Sequence, residues 1–310
     1  RRVLVDEILV AADRLDEVEP RGRALSCKAY FSAEEGDRDG LNEAVSDLAH
    51  TGEEHEMMHL QWIAQHGQAM LAILDGNFTN AEKLAEEAYG IGRQTHGAAA
   101  DGVYGIQMFT IRREQGRLAE VAPVIKKLLD DNPKQAEWKP GFALVACDLG
   151  FAEPAGRMLS EIAETGFSFP LDAKRSITLA YLSEVCANLE EPKYAEGLYE
   201  LVRPYRHMTI TAGVMTVCYG SAGRFLGQLA TVLGDWDRAE EHFETAIAMN
   251  KKMGAWPWLA HSQHAYATML QKRARTGDAD AAHSLMAHAQ ETANRLGMEA
   301  LQAKLQGRLH

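Results

Sequence analysis

The residues whose spacing most readily suggests chemistry are His55-Glu56-Met57-Met58-His59. This is the H-E-x-x-H pattern. On one helix its two histidines share a face and can hold zinc, with the glutamate as general base. The context argues against that use. Glu53 and Glu54 crowd the upstream side, and Gln61 follows where an apolar residue is expected. Trp62 and Gln65 stand where an extended zinc motif needs Gly and a third His. His66 falls on the same helical stripe as His55 and His59, but seven residues past His59, roughly 10 Å along the axis at 1.5 Å per residue. Bonds of about 2 Å do not span that gap. Glu82, Glu86 and Glu87 on the next helix are as well explained by a solvated face. The expectation is no resident metal, with His55 and His59 as a weak candidate pair at a helix start. No G-x-S-x-G or G-x-x-x-x-G-K-[ST] is present, and none of the cysteines has a nearby His. The segment is therefore expected to be non-catalytic, without a cofactor. A zinc-dependent hydrolase working through His55-Glu56-x-x-His59 is the least favoured reading.

Composition narrows the partners. Of 310 residues, 46% are hydrophobic and 25% charged, which is ordinary for a folded chain. Lys plus Arg is 32 against 44 for Asp plus Glu, a net charge of -12. Such a balance repels phosphate backbones and anionic lipid, so neither nucleic acid nor membrane is expected to bind this segment. No apolar run approaches the roughly 20 residues that span a bilayer. Cys27, Cys147, Cys186 and Cys218 form no C-x-x-C and sit in apolar, helix-like contexts. Buried reduced thiols and a cytoplasmic location are expected. The chain opens on Arg1-Arg2-Val3 and enters a helical pattern at once, which reads as part of a longer multidomain protein.

The elements that must position any site come from a repeat. One phrase recurs: a turn residue, often Gly, then a polar residue, an apolar one and an alanine within a helix. The clearest copy is Gly234-Asp235-Trp236-Asp237-Arg238-Ala239, followed by Phe243 and Ala246. Another is Gly76-Asn77-Phe78-Thr79-Asn80-Ala81, followed by Ala85 and Ala88. Further copies start at Gly36, Gly116, Gly150, Glu190 and Gly277, giving steps of 40, 40, 34, 40, 44 and 43 residues. Glycine ends a helix cheaply in the left-handed conformation, and small residues let the next helix lie close. Gly223 and Gly227 permit such contact in the clearest copy, while Trp236 or Phe78 plugs the base of a hairpin. The reading is all-α: about seven helix-turn-helix repeats stacked as one α-solenoid over 1–310, with a concave face lined by the first helix of each pair. The joints at 130–140 and 166–175 are the weakest. Met208 to Cys218, rich in Thr and Val, is read as a long connection with helical character. Trp256-Pro257-Trp258 is read as a plug between hairpins, and Lys272-Arg273-Ala274-Arg275 as a solvated helix end.

On these residues the chain resembles the tetratricopeptide repeat family. Leu226-Gly227 followed by Ala239, Phe243 and Ala246 matches that family's spacing, although the copies are longer than its usual repeat. Pro204-Tyr205, Gly220 through Gly227, Gly234-Asp235-Trp236 and Trp256 through His261 are similar to the C-terminal arms of large bacterial signal-transduction ATPases. The resemblance implies a right-handed superhelix. It also implies an arm joined to an upstream P-loop ATPase, with a nucleotide cyclase or a LuxR-type transcriptional regulator domain fused elsewhere.

Counting back from the alanines places His66, Met70 and Ile73 on the inner face, then Ile106, Thr110 and Arg113, then Ala180 and Glu184, then Arg224, Gln228 and Thr231. The expected function is a protein-protein interaction or sensor arm. A peptide, partner domain or ligand would lie in a groove carrying His66, Met70, Arg113, Glu184, Arg224 and Gln228, with Arg224 foremost as a charge beside two packing glycines. The alternative is a small-molecule sensor with an enclosed pocket.

Overall fold

The computed structural model describes residues 2–120 and 139–307. Helices follow one another in antiparallel pairs: α1 (Arg2–Leu15), α2 (Val18–Glu34), α3 (Arg38–Glu54), α4 (Met58–Asp75), α5 (Phe78–Thr95), α6 (Ala98–Glu114), α7 (Lys139–Asp148), α8 (Ala152–Glu164), α9 (Arg175–Asn188) and α10 (Pro192–Val202). After a β-hairpin come α11 (Gly223–Val232), α12 (Trp236–Met253), α13 (Trp256–Arg273), α14 (Asp278–Leu296) and α15 (Glu299–Leu305). Apart from α6 and α7, which residues outside those described separate, each helix packs on its neighbours in sequence, as an all-α repeat solenoid requires. The second helix of the Gly116 repeat, with Pro133 and residues 130–138 of the predicted weak joint, lies outside the described residues. The other joint is an irregular stretch between α8 and α9, where Leu171 is 91% exposed.

All seven predicted turn positions have positive φ, including the non-glycine Glu190 at 52°. At Gly76 the mechanism is explicit. The amide of Asn77 bonds to the carbonyl of Ala72, and that of Gly76 to Ile73, so the last carbonyls of α4 are satisfied as the chain turns. The polar residue that follows then caps the next helix. Asp37 accepts from the Gly40 amide, Asn77 from Asn80 and Asp235 from Arg238. At the seventh turn α13 ends on Ala274, and Gly277 instead becomes the N-cap of α14. The repeat alanines Ala81, Ala88, Ala239, Ala246, Ala282 and Ala289 are all buried. A side-chain carbon on Gly227 would sit 2.8 Å from the Phe243 ring, and one on Gly223 2.6 Å from the His242 carbonyl. α11 and α12 therefore pack backbone to backbone. Phe78 is buried and Trp236 half-buried at the bases of their hairpins.

The stretch around Met208 to Cys218 is not a helical connection. It forms an antiparallel hairpin of β1 (Thr209–Ala212) and β2 (Val217–Ser221), with every strand residue buried. A Thr- and Val-rich run suits strands covered on both faces. Here the covering comes from the helices, because the hairpin inserts into the concave face. Thr209 donates to the carbonyl of Ala33, Ser176 to that of Thr211 and Gln107 to that of Thr216. The Tyr219 hydroxyl meets Thr110 at 2.5 Å and Tyr181 at 2.8 Å. Asn250 accepts from the Ser221 amide and donates to the carbonyl of Trp258. Helices α2, α6, α9, α12 and α13 are thus all fastened to one hairpin.

The array also closes on itself. Arg38 reaches the carbonyl of Met253 and pairs with Asp75. His261 lies 2.8 Å from Glu114, and Lys304 3.3 Å from Asp148. Early repeats therefore meet late ones across the groove.

Three smaller expectations are corrected. Cys27 is exposed and Cys147 half-buried; only Cys186 and Cys218 are buried, and Cys218 lies on a strand. Arg273 is not a solvated helix end. Its guanidinium is clamped by Asp278, which the α13–α14 turn brings to it, and by Glu240 of the adjacent α12. In Trp256-Pro257-Trp258, Trp258 is fully buried against Tyr219, as a plug would be, whereas the half-buried Trp256 faces Arg295.

Candidate functional site

The H-E-x-x-H residues do not share a helix. His55 is the C-cap of α3, Glu56 takes a left-handed φ of 53°, and Met57 is the N-cap of α4. The chain reverses between the two histidines, so His55 leaves the stripe it was expected to share with His59 and His66. His59 instead lies 2.8 Å from Glu19, and His55 3.9 Å from Glu54. Glu82 pairs with Arg112, and Glu87 accepts from Gln65. Among the described residues no group of three or more His, Cys, Asp or Glu is placed to hold a metal ion.

The inner-face residues fall into two sets. His66 and Met70 are buried. The His66 ring meets the hairpin, with Nδ1 3.2 Å from the carbonyl of Met215. Burial pushes its pKa down to about 4, so the ring is neutral. His66 is therefore wall beneath the hairpin, and Met70 lies in the hydrophobic core, so neither is open groove. Arg113, Glu184, Arg224 and Gln228 come together farther along, where they line a cavity of about 150 Å³ with His261, His264 and Lys304.

The positions of these groups follow from the helices that carry them. Arg113 closes α6, Glu184 lies in α9, Arg224 and Gln228 are one turn apart on α11, and Lys304 is on α15. Arg113 Nε donates to Asp148 at 2.6 Å, and its Nη2 donates to Glu184 at 2.6 Å. Arg224 Nη1 donates to the other oxygen of Glu184. Burial alone would raise the Glu184 pKa, but the Arg113 and Arg224 guanidinium groups outweigh it and hold the carboxyl far below the usual range. Asp148 is lowered in the same way, against its burial, by Arg113 and Lys304. Burial pushes His264 down to about 4, helped by His261 and Lys304.

Ion pairing therefore accounts for Arg113 and Glu184, but not for all of Arg224. Its Nε and Nη2 are buried and have no hydrogen-bond partner among the described residues, and the same holds for Gln228 Oε1. A buried donor left unmade is costly, and buried polar groups are nearly always partnered. Asp148, His264 and Lys304 were missed by repeat counting. Asp148 stands at the end of its helix beside a turn, and Lys304 reaches the site only because the array closes.

Among the described residues, no helix is long and apolar enough to cross a membrane. Compared with known proteins, the chain matches no protein-family model and no curated protein.

Proposed function

We propose that this chain is a recognition module rather than a catalyst, and that it senses a small ligand in the cavity at Arg224. The observation that carries this is a cleft lined by charged and polar side chains of early and late repeats, Arg113, Glu184, Arg224, Gln228, His264 and Lys304. The hairpin adds support. It packs over α2, α4, α6 and α9, where it occupies the inner face that an extended polypeptide would need. The cavity walls come from α6, α9, α11, α12, α13 and α15, so early and late repeats both contribute. A ligand there would tie those repeats together and stabilise one closure of the array, a population shift driven by differential affinity. In a larger bacterial signalling protein the module would serve as the sensing arm, with an upstream ATPase as output. The likeness of residues 204–261 to such arms supports that setting.

The test uses the whole chain and small-molecule extracts. An active fraction is expected to raise the melting temperature of the wild type and not of Thr231→Phe, which fills the cavity from α11. A chain whose only saturable partner is a polypeptide, bound equally by Thr231→Phe, overturns the reading.

A second reading, docking of a partner domain through an apolar helix, is favoured by α1. Val3, Leu4, Val10 and Leu15 are at least half exposed there, at 70%, 62%, 50% and 71%. Helices of this array are covered through such faces, so a partner helix is the fitting occupant. Loss of association with the upstream domain in Leu4→Glu supports it; unchanged association overturns it.

A further inference from the structure

The face that α1 leaves exposed, on which the second reading above rests, is spaced to pair with itself. Leu4, Ile8, Ala11 and Leu15 are all exposed, and they follow one another at steps of 4, 3 and 4 residues. That is the spacing of the a and d positions of a coiled coil, which meet one partner helix along a single seam. Val5 and Ala12 are buried where α1 packs on α2. At about 100° per residue the exposed seam lies roughly a quarter turn from them. A second helix can therefore lie on it without displacing α2.

The seam itself carries no charge, but two charges stand beside it. Glu7 and Arg14 each precede a seam residue, Ile8 and Leu15, so both are g positions. Both are exposed, and among the described residues neither is paired. Orientation decides what they meet. In a parallel pair Glu7 would face Ala12 of the second copy, which α2 already covers. In an antiparallel pair Glu7 of each copy meets Arg14 of the other. The layers of the seam then match as well: Leu4 lies against Leu15, and Ile8 against the small Ala11, each twice. Every contact is repeated by the two-fold axis, the self-complementary pattern of an isologous interface.

We propose that α1 docks antiparallel on α1 of a second copy of this chain, through Leu4, Ile8, Ala11 and Leu15, with Glu7 and Arg14 of the two copies paired beside the seam. A helix of 14 residues is about 21 Å long. The surface it buries is smaller than that of a permanent dimer, so the association is reversible.

Sedimentation velocity on the whole chain tests this, at about 0.15 M salt to screen the net charge of -12. The wild type is expected to pass from monomer to dimer as its concentration rises. Leu4→Glu is expected to stay monomeric, and melting curves report whether each variant folds. Leu4→Glu would also remove docking of a partner domain, so the charges carry the distinction. Glu7→Arg sets arginine against arginine, and Arg14→Glu sets glutamate against glutamate. Each is expected to weaken the dimer about fivefold or more. An equimolar mixture of the two is expected to associate about as strongly as the wild type, because each copy carries the charges the other lacks. A wild type that is monomeric up to about 0.5 mM overturns the inference. So does a dimer that survives Leu4→Glu, a single charge variant as strong as the wild type, or a mixture no stronger than its components. The partner-domain reading has a separate measurement: a monomeric chain that binds the upstream domain, and loses it in Leu4→Glu, keeps that reading and sinks this one.

Discussion

His66 on α4 and Met215 at the tip of the hairpin are joined by one hydrogen bond of 3.2 Å across 149 residues of chain. A carbonyl only accepts, so Nδ1 of His66 carries the hydrogen and the neutral ring is the donor. Unfolded, this ring takes up a proton near pH 6.5; folded, burial holds it neutral down to about 4. Between those values the unfolded chain binds more protons, so stability falls as the pH drops. The expected loss from His66 is about 3 kcal/mol by pH 4. Urea unfolding at pH 7 and pH 5 checks the sign. His66→Gln should be less stable at pH 7 and less sensitive to pH; an unchanged slope would show that this histidine is not the source.

Removing Glu184 leaves Arg113 and Arg224 buried with too little negative charge. Glu184→Ala is expected to cost about 3–5 kcal/mol, the usual penalty for stranding a buried charge. Its folded pKa is depressed, so its contribution is present above about pH 4.5 and is lost only as the pH falls well below the carboxylate range. Denaturant titration at neutral pH measures the cost. A loss under 1 kcal/mol would mean that Glu184 does not hold Arg113 and Arg224.

Glu190 stands where the other six repeat turns have glycine, and it takes a φ of 52°. An L-residue pays about 1 kcal/mol or more for that conformation. Its exposed ion pair with Lys272 returns little. Glu190→Gly is therefore expected to raise stability by roughly 0.5–1 kcal/mol, seen as a higher urea midpoint. A lower midpoint would contradict the assignment of this position as a repeat turn.

Asn250 is fully buried and serves the hairpin on one side and α13 on the other, through the Ser221 amide, the Trp258 carbonyl and Ser262. Asn250→Ala strands the Ser221 amide, while the Ser262 hydroxyl still donates to the Trp258 carbonyl, and is expected to cost about 1–3 kcal/mol. Hydrogen exchange should show the Ser221 amide losing its protection first. Protection retained at Ser221 would place its partner elsewhere.

Much of the architecture was legible because helix ends are local events. A left-handed turn residue followed by a capping side chain, as at Gly76-Asn77 and Gly234-Asp235, is decided within six residues of chain. Counting back from the buried alanines also put Arg113, Glu184 and Arg224 on one wall. The hairpin was not legible in the same way. Thr209 through Ser221 finds its partners on helices up to 176 residues away, as Thr209 does at Ala33, and no local period reports them. The reading of His55 and His59 failed for a local reason instead: Glu56 adopts a backbone conformation that ends a helix without glycine to announce it. Asp148 and Lys304 were hidden because 156 residues separate them.

The hairpin has a consequence for synthesis on the ribosome. A linear stack can lay down each unit against the last one as it emerges. Here α2, α4, α6 and α9 must wait for residues 209–221 before Ala33, Met215, Thr216 and Thr211 can find their mates. The nascent first half therefore carries an unfinished inner wall, and completes it in a late, long-range step of the kind that makes folding slow and chaperones useful.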